Sequence, residues 1–333
     1  MTNVRRVTLG YNNVYLVQAG GANVLIDAGP DYRGAGEALL AATSSTPPNA
    51  VVATHGHLDH AGLARWWQGR GVLVSLGMGD EHFASAAPFA DAHELTAFEG
   101  YVRAIGTPQD VAAGVIRGLR QRQDWAHAAA SEAGDYGPPL SDGRWPTQLR
   151  YRHFVPDRLL SDGEFIEGTN LEVIACPGHT PGNVVLIDSN EGWLFSGDQL
   201  LPEITPTPGL QRSAAAVTTK AWRFASLPHF LDSLERLSRM HFSYCWPGHG
   251  EPFSDVSRVI AENIAQIEQR TGRFQRLLAE RGRANVYELC EAAYPRALQR
   301  RFWQIVATAQ GHLDILEERG LARQTDGSYE PAR

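Results

Sequence analysis

Two short β-rich runs, 13–18 and 23–27, flank Ala19-Gly20-Gly21 near the start of the chain, a pairing that predicts a hairpin. Apolar spacing then predicts a helix over 36–45, a short buried strand over 50–54, a helix over 63–71 and a strand over 71–77. Strand, loop, helix and strand in that order point to an α/β layered fold. From about 80 to 157 the pattern turns helical, at 92–106 and 108–134, before a loop rich in Gly, Pro and aromatic residues. This stretch reads as a helical insert that caps the body. Strands return at 150–155, 158–168, 171–178, 183–189 and 192–198, and a helix over 228–240 precedes "YCWPGHG". Beyond Phe253, Val256, Ile260, Ile264, Ile267, Phe274 and Leu278 fall on one face of an amphipathic helix ending near Gly282. Helices at 285–295 and 297–320 and a two-stranded wing around Asp326-Gly327 follow. The expected organisation is a body at 1–254, with an insert at about 80–157, and a small winged-helix-like module at 255–333.

Composition narrows the class. The chain has 333 residues, 43% of them hydrophobic, enough for a large core. Its net charge of −7 disfavours a general polyanion binder. Cys176, Cys245 and Cys290 form neither a disulfide framework nor a CxxC pair, which points to a reducing compartment. No run of about 18 apolar residues occurs, so no membrane span is expected and the reading is a cytoplasmic protein.

The chemistry is concentrated at strand ends. "THGHLDH" crowds His55, His57, Asp59 and His60 behind the strand at 50–54. In an extended or turning backbone alternate side chains share a side, so His55 and His57 can grip one ion while Asp59 and His60 reach a second. "CPGHTPG" places His179, "FSGDQL" places Asp198 and "WPGHG" places His249, each after a strand and beside glycine. Five histidines and two aspartates suit two divalent ions with three ligands each and a shared carboxylate.

This ordered set, "THGHLDH", "GHTPG", "SGD" and "PGHG", resembles the metallo-β-lactamase superfamily over roughly 8–254. The resemblance implies an αββα sandwich. It assigns His55, His57 and His179 to a first ion, Asp59, His60 and His249 to a second, and Asp198 to a bridge between them. Asp59 and Asp198 are thus the carboxylates expected to take part in catalysis. The full motif looks more like the glyoxalase II, lactonase and ribonuclease branches than the antibiotic-resistance branch.

The expected reaction is attack of a metal-bridging hydroxide on a carbonyl, with zinc the first choice of metal and iron or manganese open. A thiolate leaves without a proton, whereas an alcohol benefits from a general acid, and none declares itself; Tyr136, Tyr151 and Tyr244 are candidates by type alone. That favours a thioester, or a related ester or lactone, of a medium-sized acyl group. Phe83, Phe89, Phe98, Trp125 and Trp145 of the insert, with Tyr136 and Tyr151, are candidate pocket residues. Cys176 and the Trp66-Trp67 pair read as core. Two alternatives stay open: an endoribonuclease or phosphodiesterase whose C-terminal module aids RNA binding, and a mononuclear iron dioxygenase of the same fold. Against RNA, residues 255–333 carry twelve Arg and eleven Asp or Glu, with no clear excess of basic charge. The module is expected to cover the active-site mouth or to form a dimer contact.

Overall fold

The computed structural model describes residues 2–85, 91–131, 136, 146–206, 208–213 and 222–332. Strands β1 (Asn3–Leu9), β2 (Asn12–Ala19) and β3 (Ala22–Ile26) form an antiparallel meander. Gly20 and Gly21 turn it at positive φ, and a Cβ on Gly20 would lie 2.2 Å from the carbonyl oxygen of Gly168. After α1 (Ala35–Thr43), β4 (Ala50–Ala53) joins parallel to β3. Helices α2 (Leu58–Ala61) and α3 (Ala64–Gln68) lead to β5 (Leu73–Gly77), again parallel. The insert holds α4 (Glu81–Ser85), α5 (Ala92–Ala104) and α6 (Gln109–Ala130), and the chain then returns to the same sheet as β6 (Arg158–Leu160). The order β1-β2-β3-β4-β5-β6 makes a six-stranded sheet.

A second sheet takes the order β12-β9-β8-β7, from β7 (Leu171–Ala175), β8 (Val184–Asp188), β9 (Trp193–Gly197) and β12 (Tyr244–Pro247). Between β9 and β12 lie a two-stranded ribbon, β10 (Gln211–Arg212) and β11 (Arg223–Phe224), and helix α7 (Ser226–Ser238). The sheets pack face to face around Tyr15, Val17, Ile26, Val52, Val173, Leu186 and Phe195. One outer face is covered by α1 and α3 through Leu39 and Trp67, the other by α7 through Phe230, Leu231 and Leu234. This is the αββα sandwich. Strands buried on both faces explain the continuous apolar runs at β2, β4 and β8.

The long helix α8 (Val256–Arg281) belongs to two cores. Val256, Val259 and Ile260 pack on the sandwich, whereas Phe274 and Leu278 enter the core of the C-terminal module. That module adds β13 (Ala284–Asn285), α9 (Val286–Ala293), α10 (Phe302–Glu318), β14 (Ala322–Thr325) and β15 (Ser328–Pro331). Its wing has three strands, β13-β15-β14, rather than the expected two. An Asn285–Glu288 capping box opens α9 by satisfying two amide donors that the helix leaves free. Val102, Ile105 and Ala112 of the insert share this module's core with Phe274, Leu289 and Val306, so insert and module are packed together.

Several expected elements differ: the strand expected over 158–168 forms only at Arg158–Leu160, and the helix expected over 297–320 only at Phe302–Glu318. Residues 151–156 run as an irregular connection rather than a strand: Tyr151 and Phe154 turn inward into the first sheet's outer core, and only Arg150 forms an isolated bridge, to Asp31. Asp59 and His60 stand on the short helix α2, so the turning backbone there is one helical turn.

Candidate metal centre

Every strand that carries a proposed ligand delivers it from its C-terminal end. β3, β4 and β5 run parallel, as do β9 and β12, with β7 reaching the same direction through two antiparallel steps. Their following loops therefore open on one edge of the sandwich. The two sheets are tied at that edge by Val184 N donating to Thr54 O.

The seven candidates meet there. His55 Nε2 lies 3.0 Å from His57 Nδ1, which is 3.1 Å from His179 Nε2. On the other side His60 Nε2 lies 3.4 Å from His249 Nε2, and His249 Nε2 is 3.4 Å from Asp59 Oδ2. Asp198 stands between the trios. Its Oδ2 is 3.5 Å from His179 Nε2, while its Oδ1 is 3.4 Å from His60 Nε2 and 3.3 Å from His249 Nε2. Three groups with mutually close ligand atoms result: His55-His57-His179, His55-His60-Asp198 and Asp59-His60-His249. Imidazole lone pairs cannot bond to one another without a shared proton or cation. Asp198 Oδ1 is also buried with no hydrogen-bond partner among the described residues. Nitrogen and carboxylate donors clustered in this way fit borderline divalent cations.

Charge divides the two trios. Burial holds the imidazoles of His55, His57 and His179 below their ordinary pKa, His57 at about 3, so the first trio is neutral and ready to ligate. Burial would likewise strip His60 and His249, but Asp27 and Asp198 outweigh it at His60, and Asp198 and Asp59 at His249, which is held at about 9. Asp198 would be raised by burial; His60 and His249 instead hold it well below the carboxylate range.

The metallo-beta-lactamase superfamily model matches residues 7–239, most of the chain. The chain belongs to that superfamily. The probable metallo-hydrolase YqjP of Bacillus subtilis is 27% identical over 309 residues, covering 91% of this chain and 87% of that protein. The acyl-coenzyme A thioesterase MBLAC2 of Gallus gallus is 29% identical over 200 residues, 56% of each chain. The crystal structure of a metallo-beta-lactamase family protein from Thermus thermophilus matches with a TM-score of 0.71 at 24% identity, covering 99% of this chain and 98% of the other. Family membership and the ligand cluster together make this chain a metallo-hydrolase of the superfamily.

Three residues that sequence reasoning passed over hold the candidate ligands in place. Asp27, at the end of β3, accepts from His60 Nδ1 through Oδ2 at 2.7 Å. Its Oδ1 accepts from Thr54 N and Thr54 Oγ1, both at 2.8 Å, and Thr54 Oγ1 lies 3.1 Å from His55 Nδ1. One carboxylate thereby directs the Nε2 atoms of two candidate ligands toward the centre. Asp80, after β5, accepts from Gly56 N and Thr180 Oγ1 through Oδ2 and from Gly182 N through Oδ1, joining the "THGH" and "GHTPG" loops. Burial raises its carboxyl to about 6. Tyr11 stacks on His249 with centroids 4.3 Å apart, donates its hydroxyl to Asp59 Oδ2 at 3.2 Å, and accepts from His249 Nδ1 through its carbonyl. Asp27 and Asp80 did carry a signal: like Asp198, each follows a strand beside glycine, in "IDAG" and "GMGD". Tyr11 carried none.

The pocket candidates scatter. Phe83 meets the edge of His57 at 5.5 Å, and a Cβ on Gly56 would lie 2.4 Å from Phe83 Cβ. Tyr151 is fully buried and donates to Gly56 O at 2.9 Å, so it braces the metal loop and lines no open pocket. Tyr136 donates to Asp31 at 2.6 Å and lies under Arg150. Trp125 packs against the first sheet's outer core. Phe98 packs on Trp222 and Trp303. Trp145 and Phe89 lie outside the described residues. Tyr244 starts β12, at the end of the strand away from the ligands. Cys176 is buried, its thiol pushed up to about 12 by burial, and Trp67 is core.

Proposed function

We propose that this protein is a dinuclear metal-dependent hydrolase of thioesters with a medium-sized acyl group, with zinc the proposed metal. The observation that carries the dinuclear part is the two-faced carboxylate of Asp198, one oxygen toward each trio. A pair of cations in the cluster would supply Lewis acidity toward a carbonyl oxygen and lower the pKa of water toward 7. The chain's own contribution is positional. Asp27 and Thr54 hold ligand nitrogens inward, Asp80 and Tyr151 fix the "THGH" turn, and Tyr11 holds Asp59 and His249 together.

The thioester preference is supported by the acids. Among the described residues, the hydroxyls of Tyr151 and Tyr136 are committed to Gly56 and Asp31, and Tyr244 sits at the far strand end. Burial also raises the Tyr151 phenol far above its ordinary value. A thiolate needs no proton donor to leave. The partial likeness to an acyl-coenzyme A thioesterase points the same way.

A panel of acyl-CoA and acyl-glutathione thioesters, lactones, a generic phosphodiester and single-stranded RNA tests the reading with metal-loaded protein. Turnover of a thioester at kcat/KM at least tenfold above every other member is expected. Preferred cleavage of RNA or the phosphodiester would replace this reading with the nuclease one. For location, no described helix is long and apolar enough to cross a membrane.

A further inference from the structure

The shortest sheet among the described residues touches three parts of the molecule at once. In the β10–β11 ribbon Gln211 pairs with Phe224 and Arg212 with Arg223. Gln211 Nε2 donates to the carbonyl oxygen of His179, a metal-loop residue, at 3.2 Å. Arg212 reaches the insert, with Nη1 2.6 Å from Asp91 Oδ2, and Asp91 caps α5 by accepting from His93 N. Arg223 reaches the C-terminal module, donating to both oxygens of Asp314 at 2.6 and 2.7 Å. Arginines directly opposite on paired strands repel. Here each has its own carboxylate, on a different part of the chain.

The contacts close into a ring. From Asp314 the polar chain continues to Gln310, whose Nε2 donates to Asp314 Oδ1 and to the Tyr329 hydroxyl. Tyr101 of α5 donates to Gln310 Oε1 at 2.8 Å. Helix α5 is thus gripped near its start through Asp91 and, about 15 Å further along its axis, through Tyr101. Apolar contacts follow the same path: Trp222, next to Arg223, meets Phe98 at 5.0 Å and Tyr101 at 5.6 Å. Gln310 and Asp314 are buried, so the polar chain is held in a low-dielectric setting where a missing partner is costly.

We propose that the β10–β11 ribbon is a three-way clamp that sets the insert against the metal loops, and that Arg212 and Arg223 are positioning residues for substrate binding. On this reading the C-terminal module acts on substrate indirectly, as the anchor for α5. The kinetic part rests on the hydrolase reading above; the structural part does not.

The test uses the full, metal-loaded chain with Arg223→Gln, Arg223→Lys and Arg212→Gln. Amide hydrogen exchange in residues 92–104 should accelerate at least tenfold in Arg223→Gln, although the substitution lies outside that helix. Arg223→Lys should recover part of the protection. Metal content should match the parent, and KM for the best panel substrate should rise fivefold or more with kcat within twofold. Unchanged exchange in 92–104, or metal loss equal to the loss of activity, would overturn the clamp. Should Arg223→Gln not fold, Arg212→Gln, which removes the arm to Asp91 from outside the helix, is read by the same criteria. If no panel member turns over, the hydrolase reading fails while the exchange result still decides the clamp.

Discussion

Replacing Asp27 by Asn isolates the role of one carboxylate outside the ligand set. Asp27 occupies the left-handed region at φ 67°, which Asn tolerates as well as Asp, so the backbone should be indifferent to the change. Asn can keep its carbonyl oxygen on Thr54 N and Oγ1 and so preserve the link to His55. Its amide nitrogen then faces His60 Nδ1 at a place where the parent has an acceptor 2.7 Å away. The imidazole must present a bare Nδ1 and carry its proton on Nε2, the atom aimed at Asp198 and His249. Loss of a hydrogen bond to a charged group costs about 1.5–3 kcal/mol, or roughly ten- to hundredfold in affinity. Competition against a chromophoric chelator, followed for each metal equivalent, should show one step falling by that factor and the other changing less than about threefold. Asp27→Ala, which also frees Thr54, should weaken both steps. Unchanged affinities in Asp27→Asn, or an equal fall in both steps, would refute the tautomer argument.

Other expectations follow from single contacts. A Cβ on Gly248 would lie 2.7 Å from His60 Cε1 and 2.9 Å from Asp198 Oδ1, so Gly248→Ala should displace both side chains in a protein whose fold is checked by circular dichroism. Misplacing those two ligands should lower its kcat/KM by about a hundredfold; near-parent activity would contradict the tight packing. His312 is buried, donates to Thr271 Oγ1, and burial pushes its imidazole down to about 3. The unfolded chain therefore binds a proton near pH 6.5 that the fold refuses, and stability should fall with acid by about 2 kcal/mol at about pH 5. Urea unfolding of His312→Asn, which keeps a donor toward Thr271, should lack that part of the pH slope; equal slopes would contradict it. Phe274→Ala in the module's core should cost about 3–5 kcal/mol, read as a lowered unfolding midpoint.

The candidate cluster was legible because its members fall in four loops that follow apolar strands and carry glycine, so local pattern alone marks where a loop must turn at a sheet edge. Asp27 and Asp80 follow the same pattern but look like ordinary turn carboxylates, since what distinguishes them is a partner 33 residues away at His60 or 100 away at Thr180. The strand expected at 150–155 failed for a related reason. "YRHF" alternates as a strand would, but its apolar side chains fill a core next to a sheet without joining it. The shared core of insert and C-terminal module was hidden for the same cause, since Val102 and Phe274 meet only through tertiary packing. The helix under Asp59 and His60 is four residues long, too short for periodicity to reveal.

Anomalous diffraction from crystals of the metal-loaded protein addresses the centre itself. Two peaks about 3.5–4 Å apart are expected. One should be bound by His55, His57 and His179, the other by Asp59, His60 and His249, with one oxygen of Asp198 on each. A single peak, or peaks that leave Asp198 on one side only, would contradict the shared carboxylate on which the dinuclear proposal stands.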